Sequence, residues 1–159
     1  MWTSWHRRIL VIASILGVGI SAYLGYTKIS GSSLVCLGRG CDIVNSSPYA
    51  TVMGIPVAFL GLGMYLLLLL LAIWEGSLDR LRTAVGSSRS YISPFTVHPF
   101  LLRATIFAIA LAGTIYSAYL TAIELFWLRA ICSWCVASAV LVTLIAATSA
   151  HGLFLGHLE

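Results

Sequence analysis

The stretch IVNSSPYATVMGIPVAFLGLGMYLLLLLLAIW, Ile43–Trp74, contains no charged residue, and its reading decides the fold. A helix needs about 20 apolar residues to cross the hydrocarbon of a bilayer, so this stretch is too long for one crossing. Its two halves differ in kind. Asn45, Ser46, Ser47, Pro48, Gly54 and Pro56 load the first half with turn formers, which argues against a continuous helix. The second half, from Pro56 to Trp74, reads as a spanning helix with proline in its first turn, where the missing N–H has no intrahelical partner to lose. Three further uncharged stretches have the same character: Ile9–Thr27, Ala104–Ile123 and Ala130–Ala150. The sequence therefore predicts an all-α protein, an integral membrane four-helix bundle forming one domain over residues 1–159. Its helices are expected at about 9–28, 56–74, 101–123 and 130–150, with an outer loop at about 29–55.

Composition supports this class. Hydrophobic residues make up 60% of the chain and charged residues 9%, with a mean hydropathy of +0.99. A soluble domain carries roughly 25% charged residues. The first apolar stretch follows Arg7 and Arg8 as a secretory signal would, but it is long enough to span. It is followed by Lys28 and Ile29 rather than by a small-x-small cleavage site.

Loop charges predict the orientation. His6, Arg7 and Arg8 precede the first helix, and Arg80, Arg82, Arg89 and Arg103 lie between the second and third. Lys and Arg concentrate on the cytoplasmic side, so both termini are expected there, in a multi-pass protein of the inner (plasma) membrane. The net charge of +4 and pI of 9.1 follow from this pattern and need no nucleic-acid partner. Parity then puts the loop Lys28–Ile55 and the turn Glu124–Arg129 together on the outer face. All four cysteines lie at that boundary: Cys36 and Cys41 in the loop, Cys132 and Cys135 just after the turn. In a bacterium, the compartment on that side is kept oxidising by a quinone-coupled route.

The two pairs carry different chemistry. In C-S-W-C at a helix start, the two thiols lie three residues apart on one face, close enough to form a disulfide. Cys132 is nearer the helix N-terminus, whose free N–H groups favour thiolate, and is expected to be the exchange-competent thiol. Cys135, one turn deeper, is placed to meet a lipid-soluble oxidant. The plain alternative is two small buried hydrophobes. The loop pair, C-LGRG-C, has glycines around Arg39 that let it close or open, and Arg39 can lower a neighbouring thiol pKa. A fixed structural disulfide and a four-cysteine zinc site are the other readings of the same residues.

Ser47-Pro48 reads as a helix N-cap followed by proline at the first helical position. It predicts a short lid helix from Pro48 to about Met53, ended by Gly54, over the bundle mouth, where it would exclude water from a quinone pocket. Tyr49, Phe59, Tyr65, Tyr116, Tyr119, Phe126 and Trp134 are candidates for the pocket or for the interfacial belt that aromatics form in membrane proteins.

The order C-x4-C-D-x-V-x-x-S-P-Y-A-x-x-x-G-I-P-x-A-x-x-G-x-x-x-Y, here Cys36 to Tyr65, followed two helices later by the C-S-W-C of Cys132–Cys135, resembles the vitamin K epoxide reductase family in its bacterial form. The resemblance covers nearly the whole chain. It implies a four-helix bundle enclosing a quinone, ubiquinone or menaquinone, as electron acceptor. It also implies a quinone-reducing pair at Cys132/Cys135, a shuttle pair at Cys36/Cys41, and Ser47 at the quinone site, where Phe59, Tyr65, Tyr116 and Trp134 join it as expected lining. Vertebrate members carry a hydrogen-bonding Asn on the second helix and a Tyr four residues after the C-x-x-C. Here these positions are Val57 and Ala139, which favours simple quinone reduction over epoxide reduction. Many bacterial relatives continue into a thioredoxin-like domain, whereas this sequence ends at Glu159, so a separate DsbA-like thioredoxin-fold partner acting in trans is expected.

The expected mechanism is a disulfide relay. Electrons leave Cys132/Cys135 for the quinone, Cys41 then attacks Cys132, and Cys36 resolves the intermediate. A small transporter and a structural subunit are the readings from other classes. A pathway for ions or protons usually leaves charged or strongly polar residues within the runs, and the sequence shows none in mid-run.

Overall fold

The computed structural model describes residues 4–36, 40–84 and 99–155. Four long helices dominate: α1 (Ser4–Ser30), α3 (Val57–Ala84), α4 (Pro99–Ile123) and α5 (Ser133–Leu155). The segments Trp5–Ser30, Val57–Ser77, Phe100–Leu128 and Ser133–Leu153 are each long and apolar enough to cross a membrane. Helices are what such segments must form, because hydrocarbon offers no partner to a backbone N–H or C=O. Their outward faces stay apolar, with Leu66, Leu67, Leu70 and Ile73 exposed on α3 and Ile115 and Leu144 exposed on α4 and α5. This is a multi-pass membrane protein. Helix α1 packs mainly on α3 and α5, and α4 on α5.

The larger buried cluster lies in one half of the bundle. Leu10 and Ala13 of α1, Leu68 and Ala72 of α3, Leu102 and Ile106 of α4, and Val142, Ile145 and Ala146 of α5 form a single buried cluster. These positions lie toward the end that carries both termini. There Arg103 donates through Nε to Glu75 Oε1 at 2.7 Å, tying α4 to α3 by a charge-assisted bond. Tyr65 closes the cluster. It is fully buried, packs directly on Gly17 of α1, and donates its hydroxyl to the Ser138 carbonyl at 2.8 Å. Any side chain larger than hydrogen at residue 17 would occupy the space of the tyrosine ring.

The segment between α1 and α3 holds a short helix, but not where turn chemistry placed it. Helix α2 (Gly40–Ser46) includes Cys41 and precedes Ser47. Pro48–Ala50 makes only one 3-10 turn, and Ser47 does not cap it. The Ser47 hydroxyl instead donates backwards to the Val44 carbonyl at 2.7 Å, and its N–H bonds the same carbonyl at 3.1 Å. The physical reason is that serine here finds an acceptor at the end of the preceding helix, the local competition that makes the residue ambiguous. After it come β1 (Thr51–Val52) and β2 (Ile55–Pro56), an antiparallel hairpin pairing Thr51 with Pro56 and Val52 with Ile55. Met53 and Gly54 both have positive φ, 51° and 83°, as a two-residue hairpin turn matched to strand twist requires.

Candidate functional site

Opposite the core, the other half of the bundle is hollow. A chamber of about 490 Å³ opens between α1, α3, α4 and α5 and is covered by α2 and the 3-10 turn. Its walls are mostly apolar, including Leu24, Val57, Leu60, Met64, Ile109 and Leu120. Ser47, Tyr65 and Tyr116 lie on the wall, together with Cys132 and Cys135. Tyr65 and its acceptor Ser138 form the floor.

Phe59 and Trp134 do not line the chamber. Phe59 faces α1, where its ring sits 3.3 Å from the position a Cβ on Gly25 would take. Trp134 turns toward the segment after α1, packs tilted against Tyr23 with ring centroids 5.3 Å apart, and donates Nε1–H to the Val35 carbonyl at 2.8 Å. The helical period explains both, because an aromatic one or two residues from a wall position points about 100–200° away from it. The indole has a different task here. Val35 also donates its N–H to the Tyr23 hydroxyl at 3.1 Å, so the residue before Cys36 is held from both sides. Asp42 Oδ1 accepts the Leu34 N–H at 3.0 Å, and Lys28 Nζ donates to the Asn45 carbonyl, which fastens α2 to α1.

The cysteines meet in a second buried cluster. Cys41, Cys132 and Leu34 form its centre, with Cys36, Cys135 and Trp134 packed around it. Cys36 and Cys41 are joined by a disulfide, Cα atoms 6.2 Å apart, whereas Cys132 and Cys135 are free thiols. Cys41 is fully buried against Cys132, while Cys36 is half-buried and near Ser133. Gly40 lies directly on the Ile131 backbone, and a Cβ at residue 40 would collide with the Ile131 carbonyl oxygen.

Cys132 occupies the N-cap position of α5. Its carbonyl accepts the first helical bond, from the Val136 N–H at 3.0 Å, and its sulfur accepts the Cys135 N–H at 3.3 Å. A thiolate is the stronger acceptor in this role. The hydrogen bond from the Cys135 thiol, with the backbone N–H groups of Cys135 and Trp134, holds Cys132 below the ordinary thiol range, against the opposing effects of burial and of the Glu124 carboxylate.

Glu124 is the residue that sequence reasoning missed. It was placed in an outer turn, but the chain continues from α4 through a π-helical turn, Glu124–Leu128, ended by Arg129 in the left-handed conformation. The wider turn directs the carboxyl inward, where Glu124 is only 3% exposed. Its carbonyl accepts N–H groups from Arg129 and Ala130, and its Oε2 accepts the Cys132 N–H at 3.0 Å. Its carboxyl also interacts with the Cys135 thiol. The available signal was an acidic residue eight positions before a C-x-x-C, at the apolar end of a spanning run.

A hollow, capped helical bundle with a disulfide over a C-x-x-C of free thiols is a thiol–disulfide site. The sequence matches the vitamin K epoxide reductase family over residues 8–150. The chain belongs to this family. Members are oxidoreductases of the membrane, and the match spans all four long helices and both cysteine pairs. A chamber of this size falls in the range of small-molecule sites, about 300–1,000 Å³, and its apolar wall with a few polar groups fits the quinone such enzymes use.

Proposed function

We propose that this protein is a thiol:quinone oxidoreductase that passes electrons from an extracytoplasmic thioredoxin-fold protein to a membrane quinone, and so sustains disulfide formation outside the cell membrane. One observation carries the reading: an oxidised cysteine pair lies directly over a reduced one, and only the lower pair opens into the apolar chamber. That is the state reached when electrons have moved inward from the loop and await the acceptor.

In this mechanism, a reduced partner attacks Cys36 and leaves oxidised, and the loop pair is left as two thiols. Cys41, buried against Cys132, attacks the Cys132–Cys135 disulfide, and Cys36 then resolves the Cys41–Cys132 bond. The burial of Cys41 and the partial exposure of Cys36 support this order, since exchange depends on access as well as on thiolate fraction. A quinone in the chamber would supply a two-electron sink in reach of Cys135. The chain's own residues do the rest: α2 and Ser47 cover the mouth, and Tyr65 with Ser138 closes the floor. Val57 on the wall brings no polar group to that side, which favours quinone reduction over opening of an epoxide.

The test is quinone reduction by a reduced thioredoxin-fold protein, with the wild-type chain and with Cys135→Ser. Turnover that needs Cys135 and leaves the donor oxidised supports the reading, and turnover that persists without Cys135 ends it. Orientation has its own test: in intact cells, a membrane-impermeant thiol reagent should modify Ser32→Cys, an exposed loop position. Protection there would put the cysteine pairs on the cytoplasmic side.

A further inference from the structure

Among the described residues, Glu124 is the only acidic or basic side chain on the chamber wall. Tyr49, Tyr65, Tyr116, Cys132 and Cys135 are the other titratable groups that line it. An unpaired carboxylate in apolar surroundings is costly, and two anions side by side without a cation cost more. Helix α2 packs against the Glu124 turn, yet its Cys41 is in a disulfide and offers no charge. The Glu124 carboxyl, which accepts the Cys132 N–H at 3.0 Å, and the Cys132 sulfur therefore compete for one negative charge, and the Cys135 thiol interacts with both.

We propose that Glu124 is the proton acceptor and donor for the Cys132/Cys135 pair. The inference rests on the thiol:quinone reading above and deepens it. In the oxidative direction, the S–S bond between Cys132 and Cys135 forms as the Cys135 S–H bond breaks. Cys132 enters as thiolate, its proton having gone to a Glu124 carboxylate oxygen, so that the two groups carry one negative charge between them. The two electrons released pass to the quinone, and the hydroquinone product takes two protons: the one Cys135 loses and the one handed on by Glu124. In the reductive direction, Cys135 leaves as sulfur anion when Cys41 attacks Cys132, and Glu124 returns a proton to it. The carboxyl thus spares the apolar chamber a second negative charge in either direction.

Glu124→Gln separates this role from a structural one, because the amide oxygen still accepts the Cys132 N–H while the group no longer carries a proton. General acid–base groups typically contribute 10²–10⁴-fold. With a permeant dithiol as donor, quinone reduction by Glu124→Gln should fall about 100-fold or more, with the half-saturating quinone concentration changed less than about threefold. Glu124→Asp should recover part of the rate.

A second measurement needs no quinone: the pH dependence of Cys132 alkylation in the reduced protein. The midpoint should move down in Glu124→Gln, because the competing anion is gone. Wild-type turnover and an unmoved midpoint in a folded Glu124→Gln protein would overturn the proposal. If the wild type reduces no quinone, the function reading fails, and the alkylation midpoint alone decides whether Glu124 and Cys132 share a charge.

Discussion

The two halves of this bundle are built from the same four helices and the same apolar alphabet, yet one is solid and the other hollow. Toward the termini, Leu10, Leu68, Ile106 and Ile145 interlock and are almost fully buried. Toward the loop between α1 and α3, Leu24, Leu60, Ile109 and Leu120 face a chamber. Tyr65 marks the boundary, buried on one side and lining the cavity on the other. Apolar side chains on facing helices do not by themselves make a core. The ends also differ in what crowns them: a part-buried Glu75–Arg103 ion pair links α3 to α4 at one, whereas a loop helix spans the other.

That contrast can be broken by mutation. The largest effect belongs to the hollow half. Cys135→Ser should abolish quinone reduction with either a protein or a small dithiol donor, while Cys36→Ser should block the protein donor far more than the dithiol. Equal loss with both donors for Cys36→Ser would remove the shuttle from the mechanism. Next is pH. Because the Cys135 hydrogen bond holds Cys132 below the usual thiol range, Cys132 should stay reactive to a lower pH than an ordinary thiol. Its alkylation rate should fall about tenfold per unit only once pH drops below that lowered pKa, where the thiolate is lost. Cys135→Ala should move the midpoint upward by removing the donor.

Stability sharpens the comparison. Ile106→Ala in the solid half should destabilise the protein by about 2–5 kcal/mol, the usual cost of an unfilled core cavity. Leu120→Ala, on the chamber wall, enlarges an existing void, and should cost about 1 kcal/mol or less while raising the quinone concentration needed for half-saturation. Thermal unfolding in detergent measures the first and a titration the second. Similar stability losses would mean that the chamber is packed as tightly as the core. A comparably small effect is expected of Tyr65→Phe, which removes the hydroxyl's hydrogen bonds to the Ser138 carbonyl and hydroxyl and should cost about 1 kcal/mol.

Much of this was legible in the sequence. Run length and charge placement gave the four spans, and the spacing of Cys36, Cys41, Cys132 and Cys135 gave a family likeness that the family match bears out. Position along a helix was harder to read than its existence. Ser47-Pro48 satisfies every local rule for a helix start, but the helix lies just before it, because Ser47 bonds back to Val44. Phe59 and Trp134 are a residue or two from chamber positions and so face elsewhere. Glu124 looked like turn punctuation because a π turn cannot be foreseen from apolar periodicity, and that single extra residue per turn brings a carboxyl group to the thiols.

Thiol–disulfide exchange is contact chemistry: unlike electron tunnelling, it cannot act across a gap, and the two sulfurs must touch. Gly40 sets the clearance between the loop helix and the Ile131 backbone, one residue from Cys41 on one side and one from Cys132 on the other. A methyl group there would lift the loop helix and part the sulfurs without altering any cysteine. In the proposed relay, passage of electrons from the outside of the cell into the lipid is thus limited by a mechanical tolerance, and it is met by the smallest side chain in the protein.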